Sequence, residues 1–248
     1  MGIVCVVAAR MGSTRLPGKT LIKVDGRPLL EHLLDRLQVT ERLDKIVVAT
    51  SKLPEDDHID NYCTQYGAAC YRGSPNDVLD RIMCAFSAYN ADVGVVVYGD
   101  CPIIDPAIID QAIELFLSSG KLDFVGNDLV TTFPAGMEVE VFRVDALREA
   151  DSLCKNEVIR EHGTLCLRQN SGQFRLQNFE AQGFLRRPEL CLEVDVEEDL
   201  IVVDKVIKHL KKIDSYSLER IIEYVDAEKI HSFNEHVHRR WKQYRSDQ

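Results

Sequence analysis

The stretch that decides the fold is Ile3-Val4-Cys5-Val6-Val7-Ala8-Ala9-Arg10-Met11-Gly12-Ser13-Thr14-Arg15-Leu16-Pro17-Gly18-Lys19. Its first five residues are continuously apolar, which is typical of a central parallel strand covered on both faces. Arg10, Arg15 and Lys19 follow in a loop. Ligands of open α/β sheets bind beyond the carboxyl ends of the strands, so we expect these cations to face the site that the fold provides. Because guanidinium groups pair well with phosphate oxygens, and Ser13 and Thr14 add further donors, the loop predicts a polyphosphate site.

The spacing in this loop differs from that of the two common nucleotide-binding loops. It contains neither G-x-x-x-x-G-K-[ST] nor G-x-G-x-x-G, so it indicates neither a P-loop enzyme nor a dinucleotide-binding fold. A solvated basic loop is the alternative interpretation. Lys23 and Arg27 extend the positive run in a chain whose formal net charge is -10. Local positive charge in an acidic protein favours a specific anionic ligand over nucleic acid.

Length and composition predict one compact α/β domain. The chain has 248 residues, 45% of them hydrophobic, which is enough for one sizeable core over residues 1–248. Residues 213–248 are expected to form a helical C-terminal extension with a basic tip at His236, His238, Arg239, Arg240 and Lys242. The start of the chain lacks the features of a signal peptide, and no apolar run reaches the roughly 18 residues of a membrane span. We therefore expect a cytoplasmic protein without membrane contact.

The eight cysteines are spread along the chain without a C-x-x-C pair, and most lie in apolar segments. This pattern favours reduced core thiols over disulfides or zinc ligands.

Alternating strand and helix signals predict a mostly parallel central sheet with helices on both faces. In the first half, strands are expected at residues 3–7, 45–50, 69–71 and 93–98, and helices at 28–37, 58–65, 78–89 and 106–118. In the second half, strands are expected at residues 123–125, 138–142 and 190–194, and helices at 144–154, 200–212 and beyond 217. Glu138 and Glu140 alternate with valines, which predicts a strand with one wet face.

Two carboxylates follow predicted strands. Asp100 comes directly after the strand at 93–98, and Asp195 follows the strand at 190–194. Hard carboxylate oxygens suit Mg²⁺, which usually takes one or two of them and completes its shell with phosphate oxygens and water. The alternative role is helix capping. Asp105, just before Pro106, is the better cap, and Glu197, Glu198 and Asp199 suit the amino terminus of the next helix.

Four motifs carry a resemblance to a known family. They are Ala8 to Lys19, Tyr71-Arg72-Gly73-Ser74, Gly99-Asp100-Cys101-Pro102 and Val194-Asp195-Val196-Glu197-Glu198-Asp199-Leu200. The chain resembles cytidylyltransferases that make CMP-activated sugars, most closely the spore coat polysaccharide biosynthesis branch. Acylneuraminate and deoxy-manno-octulosonate cytidylyltransferases are more distant relatives. The resemblance covers nearly the whole chain and includes Gly136 to Phe142, Arg160-Glu161-His162 and the segment from Ser217.

The resemblance implies a nucleotide-diphospho-sugar transferase-like fold, CTP as the donor and Mg²⁺ held by Asp100 and Asp195. It implies catalytic roles for Arg10, Arg15, Lys19 and Asp100. It also implies nucleotide contacts from Ala8, Ala9, Arg10, Ser13, Gly73, Ser74 and Asp77, and acceptor contacts from Glu138, Glu140, Arg160 and His162. For the acceptor side, a strand with a polar face and a helix-capping Arg-Glu-His are the purely structural alternatives.

The expected reaction is transfer of CMP from CTP to a sugar or sugar-acid acceptor, with release of pyrophosphate, in surface or coat glycan biosynthesis. The expected partners are CTP and a small-molecule acceptor, with a homodimer as one candidate oligomeric state. A phosphonate is an alternative acceptor. A metal-dependent glycosyltransferase of the same fold and a non-catalytic nucleotide-binding module are the rival functions. The glycosyltransferase usually shows Asp-x-Asp at its metal strand, whereas this chain has Gly99-Asp100-Cys101.

Overall fold

The computed structural model describes residues 1–237. The strands are β1 Ile3–Ala8, β2 Lys23–Val24, β3 Arg27–Pro28, β4 Lys45–Ser51, β5 Ala69–Gly73, β6 Val93–Tyr98, β7 Phe124–Gly126, β8 Glu140–Arg143 and β9 Leu176–Asn178. Seven of them form one sheet in the order β5-β4-β1-β6-β8-β7-β9. Strands β2 and β3 form a separate antiparallel pair. Strand β8 runs antiparallel to both of its neighbours, and the other pairs in the large sheet are parallel. The expectation of a mostly parallel sheet is confirmed.

The helices cover both faces of this sheet, as expected. They are α1 Leu29–Gln38, α2 Asp57–Tyr66, α3 Val78–Ala88, α4 Pro106–Ser119, α5 Val144–Leu153, α6 Glu157–Arg160, α7 Leu165–Gln169, α8 Glu197–Ile213 and α9 Leu218–Ala227. Short 3₁₀ turns lie at Lys19–Leu21, Pro54–Asp56, Gly183–Leu185 and Ile230–Phe233. Asp105 caps α4 by accepting a hydrogen bond from the amide of Ala107 at 2.8 Å.

The apolar sequence of β1 is explained by packing on its two sides. Cys5 and Val7 belong to one hydrophobic cluster, with α1, α4, α8 and α9, whereas Val4 and Val6 belong to the other, with α3 and α5. Successive side chains of a strand point to opposite faces, so a strand between two helical layers must be apolar at every position. Both faces of the sheet are therefore core.

Two expectations about the second half are wrong. Residues 190–194 form no strand and make one β-bridge, between Cys191 and Ala135. Strand β8 begins at Glu140 rather than at residue 138, and it has no wet face because Glu140 is only 1% exposed. Alternation along the sequence fails here because β8 is paired on both edges and covered on both sides.

Six of the eight cysteines are buried, which agrees with their expected place in the core. Within residues 1–237, no helix has the length and apolar content needed to cross a membrane. Helix α9 packs into the main core through Leu218, Ile221 and Val225. The basic tip expected at His238, Arg239, Arg240 and Lys242 lies outside the described residues, and the helical extension at 213–248 stays a prediction.

Gly94, the second residue of β6, packs against two aromatic rings. A Cβ at this position would lie 2.5 Å from Cε2 of Phe142 and 2.8 Å from Cζ of Phe86. Since overpacking a dense core forces neighbours out of their preferred positions, we expect Gly94→Ala to lower the free energy of unfolding by about 1–3 kcal/mol. Urea denaturation measures this change. As a control, Gly172→Ala adds a methyl group with nothing within 4 Å, and equal losses for the two variants would contradict the packing argument.

Candidate active site

The loop after β1 is held in a fixed shape by bonds to its surroundings. Met11 donates its amide hydrogen to Oδ1 of Asp56 at 2.7 Å, and its carbonyl accepts from the amides of Ser13 and Gly18. Asp56 is buried beyond the end of β4, where it also bonds Ser51. Gly18 adopts a φ of 71°, a left-handed conformation that glycine reaches without steric cost. The side chains of this loop therefore start from a braced backbone.

Lys19 joins this loop to both predicted metal ligands. Its Nζ lies 2.8 Å from Oδ2 of Asp100, 2.8 Å from Oδ1 of Asp195 and 2.7 Å from the carbonyl oxygen of Val194. Burial alone would lower the pKa of Lys19, but the two carboxylates outweigh burial and raise the pKa above its usual range. Arg15 donates to Oδ2 of Asp195 at 2.6 Å. Residues far apart in sequence thus meet at one point beyond the strand ends.

The backbone at Asp195 is held by Asp199, a buried residue in the first turn of α8. Oδ2 of Asp199 accepts the amides of Asp195 and Val196 at 2.9 and 3.1 Å, while Oδ1 accepts from the Asn234 side chain at 2.8 Å. The expected helix-end role of Asp199 is therefore present, and it also fixes the backbone that carries Asp195. No sequence signal pointed to Asn234.

These residues line a cavity of about 540 Å³, which we call the strand-end cavity. The amino-terminal loop and β1 supply Ala8, Ala9, Arg10, Gly12, Ser13, Thr14, Arg15, Lys19 and Thr20, and α3 supplies Val78 and Arg81. The other lining residues are Tyr98, Gly99, Asp100, Cys101, Asp128, Glu138, Glu140, Glu161, His162, Arg168, Glu193 and Asp195. Gly99 allows the segments that follow β1 and β6 to lie close together, because a Cβ there would lie 2.9 Å from Cβ of Ala9.

Arg81 is a site residue that the sequence analysis missed. It lines the strand-end cavity although it is only 2% exposed, and its Nη1 donates to the carbonyl oxygen of Ser74 at 2.8 Å. Burial, together with the nearby Arg10, lowers its pKa. Among residues 1–237, neither Arg10 nor Arg81 forms an ion pair with a carboxylate. An anion between the two guanidinium groups would relieve their repulsion. The sequence signal that could have identified Arg81 is a charged residue among the apolar, buried positions of α3.

Asp100 and Asp195 fit the oxygen preference of Mg²⁺. One oxygen of each approaches the same ammonium group, so the pair converges on a single cation position. The described part of the chain has no group of three or more His, Cys, Asp or Glu residues arranged to hold a metal. Two carboxylates match an ion that takes its remaining ligands from substrate phosphates and water rather than from a protein cage.

Four of the predicted site residues lie outside this lining. Asp77 caps α3 by accepting from the amide of Asp80 and bonds Nε of Arg160 at 2.6 Å. Arg160 also pairs with Asp151 at 2.8 Å, so it ties α6 to α3 and α5. Gly73 and Ser74 meet the cavity only through Arg81, which packs on one and bonds the other.

Glu140 is the most deeply buried acid of the cavity wall. Its Oε2 accepts from the hydroxyl of Thr164 at 2.5 Å, and its Oε1 lies 3.8 Å from Nη2 of Arg168. Burial raises the pKa of Glu140 to about 7, which Arg168 and Thr164 only partly oppose. Arg168 is bonded to Asp128, and this pair was absent from the sequence-based set of site residues.

Comparison with known proteins identifies what the chain is similar to. The family model described as Cytidylyltransferase matches residues 4–230. The spore coat polysaccharide biosynthesis protein SpsF of Bacillus subtilis is 32% identical over 202 residues, which are 79% of this chain and 82% of SpsF. The 3-deoxy-manno-octulosonate cytidylyltransferase of Pelobacter propionicus is 35% identical over 125 residues, 49% of this chain and 47% of that enzyme.

A solved cytidylyltransferase from Leptospira borgpetersenii superimposes with a TM-score of 0.88 at 30% identity, covering 96% of this chain and all of that one. The structural neighbours of this chain are nucleotidyltransferases, which confirms the nucleotide-diphospho-sugar transferase fold. The matches also agree with the resemblance that the motifs carry.

Glu140 makes the stability of the protein depend on pH. In the folded chain its pKa is about 7, against 4.5 for an ordinary glutamate, so the folded state binds this proton more tightly than the unfolded state. The stabilisation is fully present below about pH 4.5 and is lost as the pH rises through about 7. We expect the free energy of unfolding to lose on the order of 3 kcal/mol over this range, and Glu140→Gln to remove that loss. Urea denaturation across the range measures it.

The matched control is Glu114→Gln, a change at an exposed glutamate that pairs with Arg42. It should keep the pH dependence of the parent protein. If the free energy of unfolding of Glu140→Gln depends on pH as steeply as that of the parent protein, the raised pKa of Glu140 is refuted.

Proposed function

The chain belongs to the cytidylyltransferase family and is a nucleotidyltransferase, and we propose that it transfers CMP from CTP to a sugar or sugar-acid acceptor. Pyrophosphate is the second product. The observation that carries the proposal is the position of Lys19, whose ammonium lies 2.8 Å from both Asp100 and Asp195. Cations for a triphosphate and carboxylates for its metal thereby share one cavity. The names of the Bacillus and Pelobacter relatives support a glycan precursor as acceptor and a role in coat or surface polysaccharide synthesis.

The proposed chemistry is a displacement at the α-phosphorus of CTP. An acceptor oxygen forms a new bond to this phosphorus, the bond to the β-phosphate oxygen breaks, and the electron pair leaves with pyrophosphate. Arg10, Arg15, Lys19 and Arg81 bind the triphosphate and offset the negative charge that builds up on it. Asp100 and Asp195 would hold Mg²⁺, which neutralises phosphate charge and polarises the phosphoryl group when bound.

Residues outside the reacting centre keep this arrangement rigid. Asp56 braces the loop through Met11, and Asp199 braces the backbone of Asp195. Fixed donors need little reorganisation during the reaction, so they lower the barrier more than mobile ones would. We further propose contacts to the nucleotide from Ala8, Ala9 and Ser13, contacts to the acceptor from Glu138, Glu140 and His162, and a cytoplasmic location. A homodimer remains a proposal.

A screen for pyrophosphate release tests the reaction class. The full chain is incubated with CTP and Mg²⁺ and a panel of acidic sugars, simple sugars and phosphonates. Pyrophosphate release that depends on an acceptor supports the proposal. Consumption of a nucleotide sugar without pyrophosphate favours a glycosyltransferase, and CTP binding without turnover on any acceptor favours a non-catalytic binding module.

Asp100 gives the sharpest single-residue test. We expect Asp100→Ala to lower kcat by at least about 10²-fold, since it removes one of two metal-binding carboxylates from a preorganised site. The fold should persist, because Lys19 keeps Asp195 and the Val194 carbonyl as partners. Steady-state pyrophosphate release and circular dichroism measure the two effects. Retention of most activity at saturating Mg²⁺ would remove Asp100 from the mechanism, and Asp145→Ala, at an exposed position on α5, is the control.

A further inference from the structure

Lys19 has two roles that exclude each other. In the structure its Nζ lies 2.8 Å from Oδ2 of Asp100 and 2.8 Å from Oδ1 of Asp195. The proposed function assigns the same ammonium group to the triphosphate and the same two carboxylates to Mg²⁺. The two oxygens converge on one cation position, and an ammonium group at that position repels a divalent ion. Lys19 and the metal therefore compete for the two aspartates.

Arg15 extends the competition to the second oxygen of Asp195. It donates to Oδ2 at 2.6 Å, so both oxygens of this carboxylate accept from a cation. Within residues 1–237, the carboxylate oxygen of the pair that contacts no cation is Oδ1 of Asp100, which lies 3.7 Å from Sγ of Cys101. Two carboxylates and two cations cancel in formal charge, so this group attracts a further cation only weakly.

Both cations are able to bind a triphosphate instead of the aspartates. Lys19 and Arg15 line the strand-end cavity. The lysine ammonium lies on a flexible four-carbon stem, so rotation of the side chain brings it to a new partner, and the guanidinium of Arg15 suits phosphate oxygens. The backbone of the loop is held separately, by the bond between Met11 and Asp56. A change of partner at these two side chains therefore leaves the loop in place.

We propose that Lys19, helped by Arg15, keeps the two aspartates closed to a divalent ion until a triphosphate binds these cations. The carboxylates then become available to the ion that accompanies the nucleotide. This inference rests on the proposed function and adds control of metal entry to the role of Lys19 in phosphate binding. Because coupling between two ligands is reciprocal, the metal strengthens the binding of CTP by the factor by which CTP strengthens the binding of the metal.

Binding of Mn²⁺ in the absence of nucleotide tests this control. Mn²⁺ prefers the same oxygen ligands as Mg²⁺, and electron paramagnetic resonance measures how much of it stays free. We expect the full chain to bind Mn²⁺ at least about tenfold more weakly than Lys19→Met, because this substitution removes a like charge from the same position. Arg15→Gln should strengthen Mn²⁺ binding in the same direction. Lys23→Met, a change at an exposed cation of the same segment, should bind Mn²⁺ like the parent protein.

Binding of CTP separates control of the metal from a purely structural role of Lys19. With Mg²⁺ present, Lys19→Met should weaken CTP binding, measured by titration calorimetry, although it strengthens Mn²⁺ binding. A lysine that only stabilised the fold would weaken the binding of both ligands when it is replaced. Circular dichroism checks the fold, and Arg15→Gln decides the question if Lys19→Met does not fold.

The outcomes distinguish this inference from the proposed function. Mn²⁺ binding that is as tight in the parent protein as in the two variants, or that is absent from all three proteins, overturns the control of metal entry and leaves the reaction to the pyrophosphate screen. Tighter Mn²⁺ binding in the variants supports the control of metal entry. If the parent protein then binds CTP but releases pyrophosphate with no acceptor, the proposed reaction is overturned and the competition at Lys19 stands.

Discussion

The site depends on one ammonium group. Nζ of Lys19 binds Asp100, Asp195 and the carbonyl of Val194, and these contacts join residues separated by 81 and 176 positions in the chain. This cation brings the two carboxylates together beyond the carboxyl ends of β1 and β6, although Asp195 itself follows no strand. Without it, two negative groups would face each other in a partly buried cavity, which is unfavourable unless a metal replaces the lysine charge. The same contact therefore serves the fold and holds together the two carboxylates that we propose as metal ligands.

Backbone bracing explains how flexible side chains become a precise site. Asp56 holds the loop at Met11, and Asp199, itself bonded to Asn234, holds the segment at Asp195. Gly136, with a φ of 97°, lets its segment approach residues 192 and 193, where a Cβ would lie 2.7 Å from backbone atoms. Each brace is a buried carboxylate or a close backbone approach, so the geometry is built into the core rather than left to the loops.

The first half of the fold was predictable because its signals are local. Continuous apolar runs, a proline at the start of α4 and the cap at Asp105 locate strands and helices to within one or two residues. The second half of the fold was less predictable from local signals. Residues 190–194 are apolar enough for a strand but pair through a single bridge, and Glu140 alternates like a surface residue although it is buried. In both cases the residues that decide strand pairing or burial come from distant parts of the chain.

The sequence by itself determined the α/β architecture, the cationic loop after β1 and the family, because strand hydrophobicity and a continuous motif are properties of neighbouring residues. It also identified Arg15, Lys19, Asp100 and Asp195 as candidates. Only the tertiary structure decided that these four meet, that Arg81 joins the lining, that Arg160 pairs with Asp77 outside it, and that Glu140 is buried beside Arg168. Burial and distance set the charge state of such groups, and both arise only when remote segments pack together.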